Sequence, residues 1–195
     1  MADAKVTQSD EELISAFQQG RIEAYNILVG RYKNPLINFV YRYLGDYDQA
    51  DDVVQETFIR LYQKALSYRP VAKFSTWLYT IATNLAKTQL RSRSRHGLFS
   101  LSRGTADNPD KDFELRDDRY PADQLAESSL KQEQIQRALN SLPEQFREAV
   151  ILCDIQELTY EEICGITGMN MGTLKSRLNR GRSQLQLLLK DLARE

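Results

Sequence analysis

Apolar residues recur three and four positions apart along almost the whole chain, and this spacing narrows the possible folds more than any other feature. Leu28, Tyr32 and Leu36 are an example, because side chains at such intervals lie on one face of an α-helix. No alternating run is long enough to indicate a β-strand. With 195 residues, the chain has room for one ordinary domain or two small ones. The sequence therefore predicts an all-α protein with two small helical domains joined by a flexible linker.

Four helices are predicted in the first half of the chain, at about residues 9–19, 22–44, 49–67 and 75–95. The first opens with Ser9 and Glu12, a pair that forms a capping box at a helix N-terminus. Pro35 should kink or divide the second helix, because proline lacks an amide donor and crowds the preceding turn. Ser75 is expected to cap the fourth helix.

A polar segment separates these helices from a second helical block. Residues 97–127 have little helical periodicity, contain turn formers and hold most of the acidic excess of the chain. They are predicted to form a flexible acidic linker between a domain at residues 8–96 and a domain at residues 128–193. Helical periodicity resumes at Leu130, and Pro143 suits the first turn of a further helix.

The end of the chain is typical of a helix-turn-helix. Residues 160–167, YEEICGIT, predict a short helix, Gly168 a tight turn, and Met171 the start of a longer helix. On the longer helix, one stripe of residues at helical spacing should face the core. This stripe consists of Leu174, Leu178, Gly181 and Leu185.

The opposite side of this last helix combines small, polar and basic side chains, which suits the major groove of DNA. The candidate DNA-binding residues are Gly172, Thr173, Lys175, Ser176, Arg177, Asn179 and Arg180. Arginine, asparagine and serine can pair with base edges, while the cations, including the flanking Arg182, attract phosphates. The alternative interpretation is a solvated basic helix on the outside of an all-α bundle.

The fourth helix and the loop before it are also basic, since residues 69–95 contain six basic and no acidic side chains. The candidate nucleic-acid contacts are Arg69, Lys73, Thr76, Thr80, Thr83, Asn84, Lys87 and Arg91. Tyr68, Phe74, Trp77 and Tyr79 cluster nearby, and unpaired bases stack on such rings. Phe74 and Trp77 are nevertheless expected to belong to the core. The loop YRPVAKF and the polar helix face are therefore the preferred site for single-stranded DNA.

The third helix has a different outer surface, with acidic side chains around one exposed aliphatic residue. Its members are Asp52, Gln55, Glu56 and Ile59. Residues 44–56 contain five acidic side chains and neither lysine nor arginine, which favours a basic protein partner over DNA. A small apolar patch ringed by polar groups is typical of a protein interface. A merely soluble helix face is the alternative.

Together the two blocks resemble the bacterial sigma factors of the extracytoplasmic-function (ECF) type. The promoter-binding end of that family is similar to LTYEEICGITGMNMGTLKSRLNRGRSQL, with SLPEQFREAVIL before it. Its core-binding and promoter-melting segment is similar to DYDQADDVVQETFIRLYQKALSYRPVAKFSTWLYTIATNLAKTQLRSR. The resemblance covers most of the chain outside the linker and the N-terminus. It implies a dissociable subunit that gives RNA polymerase its promoter choice.

The resemblance also implies a role for each candidate surface. The surface with Asp52, Gln55, Glu56 and Ile59 would dock on a coiled coil of the largest subunit of the polymerase core. The loop before the fourth helix would capture a flipped base while the first domain melts the downstream (minus-ten) promoter element. The last helix would read the upstream (minus-thirty-five) element as duplex DNA. The resemblance further implies an anti-sigma factor as a partner, because members of the family are commonly held by one.

Two features leave open questions within this resemblance. Relatives usually carry arginine where Thr80 stands, so a phosphate contact is expected to be lost there. The linker acids either mimic nucleic acid in a basic channel of the polymerase or belong to a plain tether. These acids are Asp107, Asp110, Asp112, Glu114, Asp117 and Asp118.

The remaining composition argues against several other classes of protein. No apolar run is long enough to cross a bilayer and no secretory signal is visible, so a cytoplasmic protein without membrane insertion is expected. Cys153 and Cys164 form no CxxC pair, and reduced, mostly buried thiols are expected. His96 has no carboxylate at a metal-site spacing, and no phosphate loop occurs. Neither an enzyme nor a cofactor, metal or small-molecule substrate is therefore expected.

An ordinary helix-turn-helix regulator, which binds duplex operators without joining the polymerase, is the main rival. Such a regulator accounts for the helix-turn-helix at the end of the chain. It assigns no function to the outer surface of the third helix or to the basic fourth helix. A purely structural helical scaffold likewise leaves the separation of charges along the chain unexplained.

Overall fold

The computed structural model describes the backbone of residues 8–100 and 122–192 and the side chains of residues 8–93 and 130–190. Every regular element in these ranges is helical, which confirms the predicted all-α class. The α-helices are α1 (Asp10–Gln18), α2 (Ile22–Leu44), α3 (Tyr47–Lys64), α4 (Phe74–Ser100), α5 (Ala122–Ser141), α6 (Glu144–Val150), α7 (Tyr160–Thr167) and α8 (Met171–Leu192). A 3₁₀ turn, Ala65–Ser67, follows α3, and a π-helical turn, Ile151–Ile155, follows α6.

Helices α1 to α4 form an N-terminal bundle around one apolar core. Leu28, Phe39 and Leu61 are completely buried there, because the inward stripes of α2 and α3 pack against each other. The capping box at α1 is confirmed. Ser9 Oγ accepts a hydrogen bond from the Glu12 amide at 3.2 Å, and the Ser9 amide donates to Glu12 Oε2 at 2.7 Å.

Of two local predictions in this bundle, one is wrong and one is tested only in part. Of the kink or division expected at Pro35, the division is excluded, since α2 is continuous on both sides of it. The next two residues, Leu36 and Ile37, are buried, and their packing offsets the one hydrogen bond that proline removes. Ser75 does not cap α4, because that helix already begins at Phe74. The Phe74 amide donates instead to Glu11 Oε1 of α1 at 3.1 Å.

Helices α5 to α8 form a C-terminal bundle. The predicted inward stripe of α8 is confirmed, since Leu174 and Leu178 are fully buried and Gly181 is buried. Gly181 allows α8 to approach α6 closely. A Cβ atom at this position would lie 2.8 Å from Val150 Cγ2, which is closer than real side chains pack. Pro143 stands at the N-cap of α6, one position before the first turn that the sequence indicated.

The two bundles pack against each other and share one apolar cluster. α7 lies against α4, and both α5 and the π-helical turn lie against α2. Helical periodicity shows which face of a single helix is apolar, but not which other helix packs on it. The sequence therefore predicted two bundles but not this contact between them.

The helices on either side of the predicted linker are longer than expected. α4 continues to Ser100, and α5 begins at Ala122, inside the segment assigned to residues 97–127. Residues 101–121, which include all six linker acids, lie outside the described part of the chain. The domain limits at 8–96 and 128–193 and the flexibility of the linker stay predictions.

Among the helices of the described residues, none has the length and apolarity that a membrane crossing requires.

Candidate nucleic-acid interface

The helix-turn-helix geometry of the C-terminal bundle is built from local signals. Thr159 and Glu162 form a capping box that starts α7. Gly168 ends that helix at a φ of 71°, a left-handed conformation that glycine adopts without strain, and its amide donates to the Cys164 carbonyl at 2.9 Å. Asn170 then starts α8, because its Oδ1 accepts from the Thr173 amide at 2.8 Å. The short helix, turn and long helix are where the sequence predicted them.

The outer side of α8 is accessible over the predicted residues. Gly172, Lys175, Ser176, Asn179 and Arg180 are exposed, while Thr173 and Arg177 are partly exposed. Two polar side chains of this surface also make contacts within α8 or with the turn before it. Ser176 Oγ donates to the Thr173 carbonyl at 2.9 Å, and an Nη1 donor of Arg177 lies 2.9 Å from Met169 Sδ. The exposed side chains of Lys175, Asn179 and Arg180 point to solvent, as a surface for duplex DNA requires.

Arg182, at the edge of the same helix, is exposed but bound to an acid of the π-helical turn. Its Nε donates to Asp154 Oδ2 at 3.0 Å and its Nη2 to Asp154 Oδ1 at 2.5 Å, a bidentate pair. The hydrogen bonds to this carboxylate raise the pKa of Arg182 further above its ordinary value. The sequence placed Arg182 beside the DNA-binding face, but it missed this partner 28 residues away.

The polar face of α4 is partly covered, contrary to the prediction that all of it is an outer surface. Thr76 and Thr83 are buried, with 8% and 0% of their surface exposed, and Thr80 is partly buried. Gly165 of α7 lies so close that a Cβ atom there would be 3.2 Å from Thr76 Cγ2. The C-terminal bundle therefore lies against Thr76, which was expected to face nucleic acid, and Thr83 is buried as well.

Two predicted cations of this region are paired with acids of the C-terminal bundle. Lys73 Nζ donates to Glu162 Oε1 at 2.8 Å, and the Lys73 side chain remains largely exposed. This hydrogen bond raises the pKa of Lys73 and lowers the pKa of Glu162 from their ordinary values. Lys87 Nζ lies 2.7 Å from Glu148 Oε1 in a pair that is mostly buried. The contact between Lys87 and Glu148 is an ion pair, but its geometry is not that of a hydrogen bond.

Other predicted residues of the α4 region stay accessible. Arg69, Asn84 and Arg91 are exposed. The guanidinium of Arg69 donates to the carbonyls of Leu66 and Tyr68, so the loop itself holds this cation in place. These residues surround the covered threonine face.

Thr80 hydrogen-bonds within its own helix. Its Oγ1 donates to the Thr76 carbonyl at 2.8 Å, an arrangement common for threonine in helices. The hydroxyl of Thr80 reaches only the backbone of its own helix, whereas the longer arginine of relatives could extend to a phosphate. The expected loss of a phosphate contact at this position is consistent with this geometry.

The aromatic residues beside α4 belong to the core, as expected for Phe74 and Trp77. Phe74 is fully buried, and the rings of Tyr68 and Trp77 lie 5.9 and 6.2 Å from it. Tyr79 is also buried, and burial raises its pKa to about 12. Its hydroxyl donates to Gln156 Oε1 of the C-terminal bundle at 2.8 Å.

The outer surface of α3 is open. Asp52 and Gln55 are exposed, Ile59 has half of its surface exposed, and Glu56 forms a pair with Arg60 one helical turn away. The sequence missed two further apolar members. Tyr62 and Leu66 are 54% and 72% exposed, and with Ile59 they follow a helical spacing that a search for outward apolar residues would have found.

The two cysteines are free and partly exposed, so they are less buried than expected. Burial raises the pKa of the Cys153 thiol, and an Nη2 donor of Arg182 lies 3.4 Å from its sulfur. A raised pKa keeps the thiol protonated and is the opposite of what a nucleophilic cysteine needs.

Comparison with known proteins matches both bundles to one family. Residues 28–96 match Sigma-70 region 2, and residues 132–185 match Sigma-70 region 4. The chain is 34% identical over 185 residues to the ECF RNA polymerase sigma-E factor of Haemophilus influenzae, covering 94% of this chain and 97% of that one. The chain belongs to the ECF family of RNA polymerase sigma factors. The outer surface of α3 and most of α4 lie in the region 2 match, and the exposed face of α8 lies in the region 4 match.

Two further sigma factors show the extent of the similarity. The ECF sigma factor SigE of Mycolicibacterium smegmatis is 37% identical over 172 residues, which is 86% of this chain and 62% of that relative. The sigma factor RpoE of Bartonella quintana, solved in complex with the anti-sigma factor NepR, is 29% identical. Its fold matches with a TM-score of 0.68 over 85% of this chain and 96% of that one. As an ECF sigma factor, the chain has a role in promoter-directed transcription initiation.

Proposed function

We propose that this sigma factor binds the RNA polymerase core through α3 and directs initiation by contacting two promoter elements with its two bundles. The observation that carries the proposal is the presence of two separate polar, basic helix faces, on α8 and α4, together with an acidic and apolar surface on α3. A regulator that binds only an operator needs the first face and neither of the others.

The face of α8 suits the upstream element as duplex DNA. Gly172 and Thr173 are small and stand at the start of the helix, so the backbone can approach the groove closely. Asn179 and Arg180 are exposed two turns further along and can pair with base edges, while Lys175 contacts phosphate. Arg177 and Ser176 complete the surface. Arg182 is assigned to positioning, because its pair with Asp154 ties α8 to the π-helical turn.

The loop before α4 and the polar face of α4 suit the downstream element after its strands separate. Arg69 and Lys73 stand in the loop and Asn84 and Arg91 on the helix, so cations and an amide border the threonine stripe. Extruding a base costs a few kcal/mol, which favourable contacts in a pocket and with phosphates can offset. The buried aromatic rings act as the rigid base of this surface and not as stacking platforms.

The outer surface of α3 suits the polymerase. Ile59, Tyr62 and Leu66 form an exposed apolar strip, and Asp52, Gln55 and Glu56 border it with polar and acidic groups. A partner with basic residues around an apolar ridge fits this surface, and the coiled coil of the largest polymerase subunit is the proposed partner.

An anti-sigma factor is the proposed negative regulator, and the cytoplasm is the proposed compartment. The support is the similarity to RpoE of Bartonella quintana, which was solved bound to NepR. The six acids of residues 107–118 are proposed to pass through the polymerase between the two promoter sites, either as a nucleic-acid mimic or as a tether. The chain itself is proposed to have no catalytic activity.

Run-off transcription with purified polymerase core and a genomic fragment library tests the proposal. The expected result is discrete transcripts that start at fixed sites only when this protein is added, which also reports the promoter sequence. An operator-binding regulator would neither copurify with the core nor produce a transcript, and that result would refute the proposal.

The polymerase surface is tested by Asp52→Lys combined with Glu56→Lys. Reversing both charges places cations against a basic partner, so binding of the core should fall by at least tenfold, which is about 1.4 kcal/mol. Binding of upstream duplex DNA should be unchanged because α8 is not touched. The matched control is Asp48→Lys with Glu23→Lys, the same charge change on helices α3 and α2 outside the proposed surface. Equal core binding by both double variants would contradict the assignment.

A further inference from the structure

We propose that a cleft at the C-terminal end of α2 binds a small organic phosphate, on the scale of a nucleoside diphosphate. Arginine side chains hold the phosphate groups of this ligand, and leucine side chains contact its less polar part. The lining residues of the cleft are distinct from those assigned above to promoter DNA and to the polymerase core. The proposal therefore adds a small-molecule site to the proposed function and does not depend on it.

The cleft lies where four helices meet. It has a volume of about 350 Å³, and pockets of roughly 300–1,000 Å³ are typical of sites for small ligands. Its lining comes from the end of α2 and from α4, α5 and α6, and consists of Leu44, Gly45, Leu90, Arg93, Asn140 and Arg147. This set combines two cations and an amide with two leucines, and it contains no acidic side chain.

Arg147 is held in place by neutral groups, so its charge is available to a ligand. Its Nη1 donates to the Tyr43 carbonyl at 3.0 Å, and its Nη2 donates to the carbonyls of Asn140 and Leu142 at 2.8 and 3.0 Å. The Nε donor and the second Nη1 hydrogen have no acceptor among the described residues. Burial lowers the pKa of Arg147 despite the nearby carboxylate of Glu144. An anion in the cleft would supply the missing countercharge.

Arg93 provides the second cation, on the exposed side of the cleft. Among the described residues, its guanidinium has neither an ion-pair partner nor a hydrogen-bond partner. Asp46 follows the lining residue Gly45, but its carboxylate is used at the start of α3. Its oxygens accept from the Gln49 amide at 3.0 Å and from Gln49 Nε2 at 2.8 Å. A phosphate that enters the cleft therefore meets two cations and no lining carboxylate.

Gly45 and Asn140 bring α2 and α5 together beside these cations. Gly45 ends α2 at a φ of 72°, and a Cβ atom there would lie 2.5 Å from Asn140 Nδ2, so a side chain at this position would occupy the space of the amide. Asn140 Oδ1 accepts from Gln136 Nε2 at 3.0 Å, which fixes the orientation of the amide. The Nδ2 donor has no acceptor among the described side chains and is available to a ligand oxygen.

The mixture of side chains favours an organic phosphate over a simple anion. Arginine binds phosphate through charge-assisted hydrogen bonds, often with two donors at once. Leu44 and Leu90 add apolar surface to the cleft, and a sugar or base ring can pack on it. Inorganic phosphate or sulfate would leave both leucines facing water. A nucleoside diphosphate uses the cations, the amide and the leucines together.

Isothermal titration calorimetry of the full-length protein with ADP, GDP, inorganic pyrophosphate and adenosine tests the proposal. At least one nucleotide should bind with a micromolar to millimolar Kd. Pyrophosphate should bind more weakly because it leaves the leucines uncovered, and adenosine should not bind measurably because it lacks the charge. Absence of binding by both nucleotides, or adenosine binding as tightly as ADP, would overturn the proposal. Pyrophosphate binding as tightly as the nucleotides would refute an organic ligand.

Arg93→Gln removes one cation of the cleft and leaves the hydrogen bonds of Arg147 intact. Nucleotide binding should weaken by at least tenfold. Arg21→Gln is the matched control, because it makes the same charge change on an exposed arginine at the opposite end of α2. An equal loss in both variants would show that the nucleotide responds to net charge alone, and the assignment to the cleft would fail.

Asn140→Asp places a carboxylate in the cleft with nearly the same shape and keeps an acceptor for Gln136. The new charge should repel phosphate and weaken nucleotide binding by at least tenfold. Asn34→Asp, on an exposed residue of α2 outside the cleft, is the matched control. Thermal unfolding without ligand first establishes that each variant is folded. The rise in Tm caused by the nucleotide should then persist in the control and be lost in Asn140→Asp. A full rise in Asn140→Asp would place the ligand elsewhere and refute the proposal.

Discussion

The polar faces of α4 and α8 have nearly the same chemistry but opposite accessibility. Each combines threonine or serine, an asparagine and several cations on the side of the helix away from its own bundle. On α8 this side is open to solvent. On α4, Thr76 and Thr83 are buried, Gly165 of the C-terminal bundle lies against Thr76, and Lys73 and Lys87 pair with acids of that bundle. Helical periodicity and residue type therefore indicate the chemistry of a helix face, while contacts with distant parts of the chain decide whether that face is exposed.

The largest expected effect comes from weakening the core of the C-terminal bundle. This bundle contains the exposed face of α8 and also packs against α4. Leu174→Ala removes a fully buried side chain of α8 and should lower the free energy of unfolding by about 2–5 kcal/mol. Urea denaturation measures this change. Leu187→Ala on the same helix removes a mostly exposed side chain and should change stability by less than about 0.5 kcal/mol. Similar losses in both variants would mean that α8 is not anchored as described.

The next largest effect is expected at the mostly buried ion pair between Lys87 of α4 and Glu148 of α6. Lys87→Met removes the cation and leaves Glu148, which is almost completely buried, without its ionic partner. The protein should lose about 1–3 kcal/mol of stability unless the bundles separate and hydrate the carboxylate. Combining Lys87→Met with Glu148→Leu should restore most of the loss, since an apolar pair needs no compensation. A double variant no more stable than Lys87→Met would show that the pair does not link the bundles.

The open face gives a prediction for promoter binding. Arg180→Ala should weaken binding of upstream duplex DNA by about 1–3 kcal/mol if the guanidinium pairs with a base edge, while binding of the polymerase core is unchanged. Arg182→Ala is the matched control, because Arg182 is occupied by Asp154 and should contribute little to DNA affinity. Gel-shift or anisotropy titrations measure both. An equal loss for the two arginines would place the groove contact elsewhere on α8.

The smallest effect is expected at the exposed pair of Lys73 and Glu162. Lys73→Gln should lower the stability only slightly at neutral pH, because solvent screens an ion pair of this kind. Since the pair lowers the pKa of Glu162, its contribution is present above the ordinary glutamate pKa and is lost as the pH falls through the lowered value. Since it also raises the pKa of Lys73, the contribution is lost again as the pH rises through that raised value.

The measurement is the difference in urea stability between the unmodified protein and Lys73→Gln at neutral and at strongly acidic pH. The difference should disappear in acid. A difference that persists there would mean that Lys73 acts through its hydrocarbon stem and not through its charge.

Features set by neighbouring residues could be predicted from the sequence. Ser9 with Glu12 starts α1, and Gly168 ends α7, because each depends on hydrogen bonds within one turn or on the conformational freedom of a single residue. The inward stripe of α8 and the outward surface of α3 followed from helical periodicity in the same way. The fold class and the exposure of these two surfaces were accessible to this reasoning.

Features set by distant residues could not be predicted. The α4 amide at Phe74 finds its acceptor in Glu11, 63 residues earlier, so the expected cap at Ser75 was wrong. Lys73 and Glu162 are 89 residues apart, and no periodicity links them. Thr76 and Thr83 carry no sequence signal for burial, because a threonine looks the same whether it faces water, DNA or another bundle.

The outer surface of α3 bears on how this protein would meet its polymerase. Asp52, Gln55 and Ile59 are exposed in the same arrangement in which Thr76 and Thr83 of α4 are buried. Under the proposed function, docking on the polymerase core would therefore require no prior rearrangement of the two bundles.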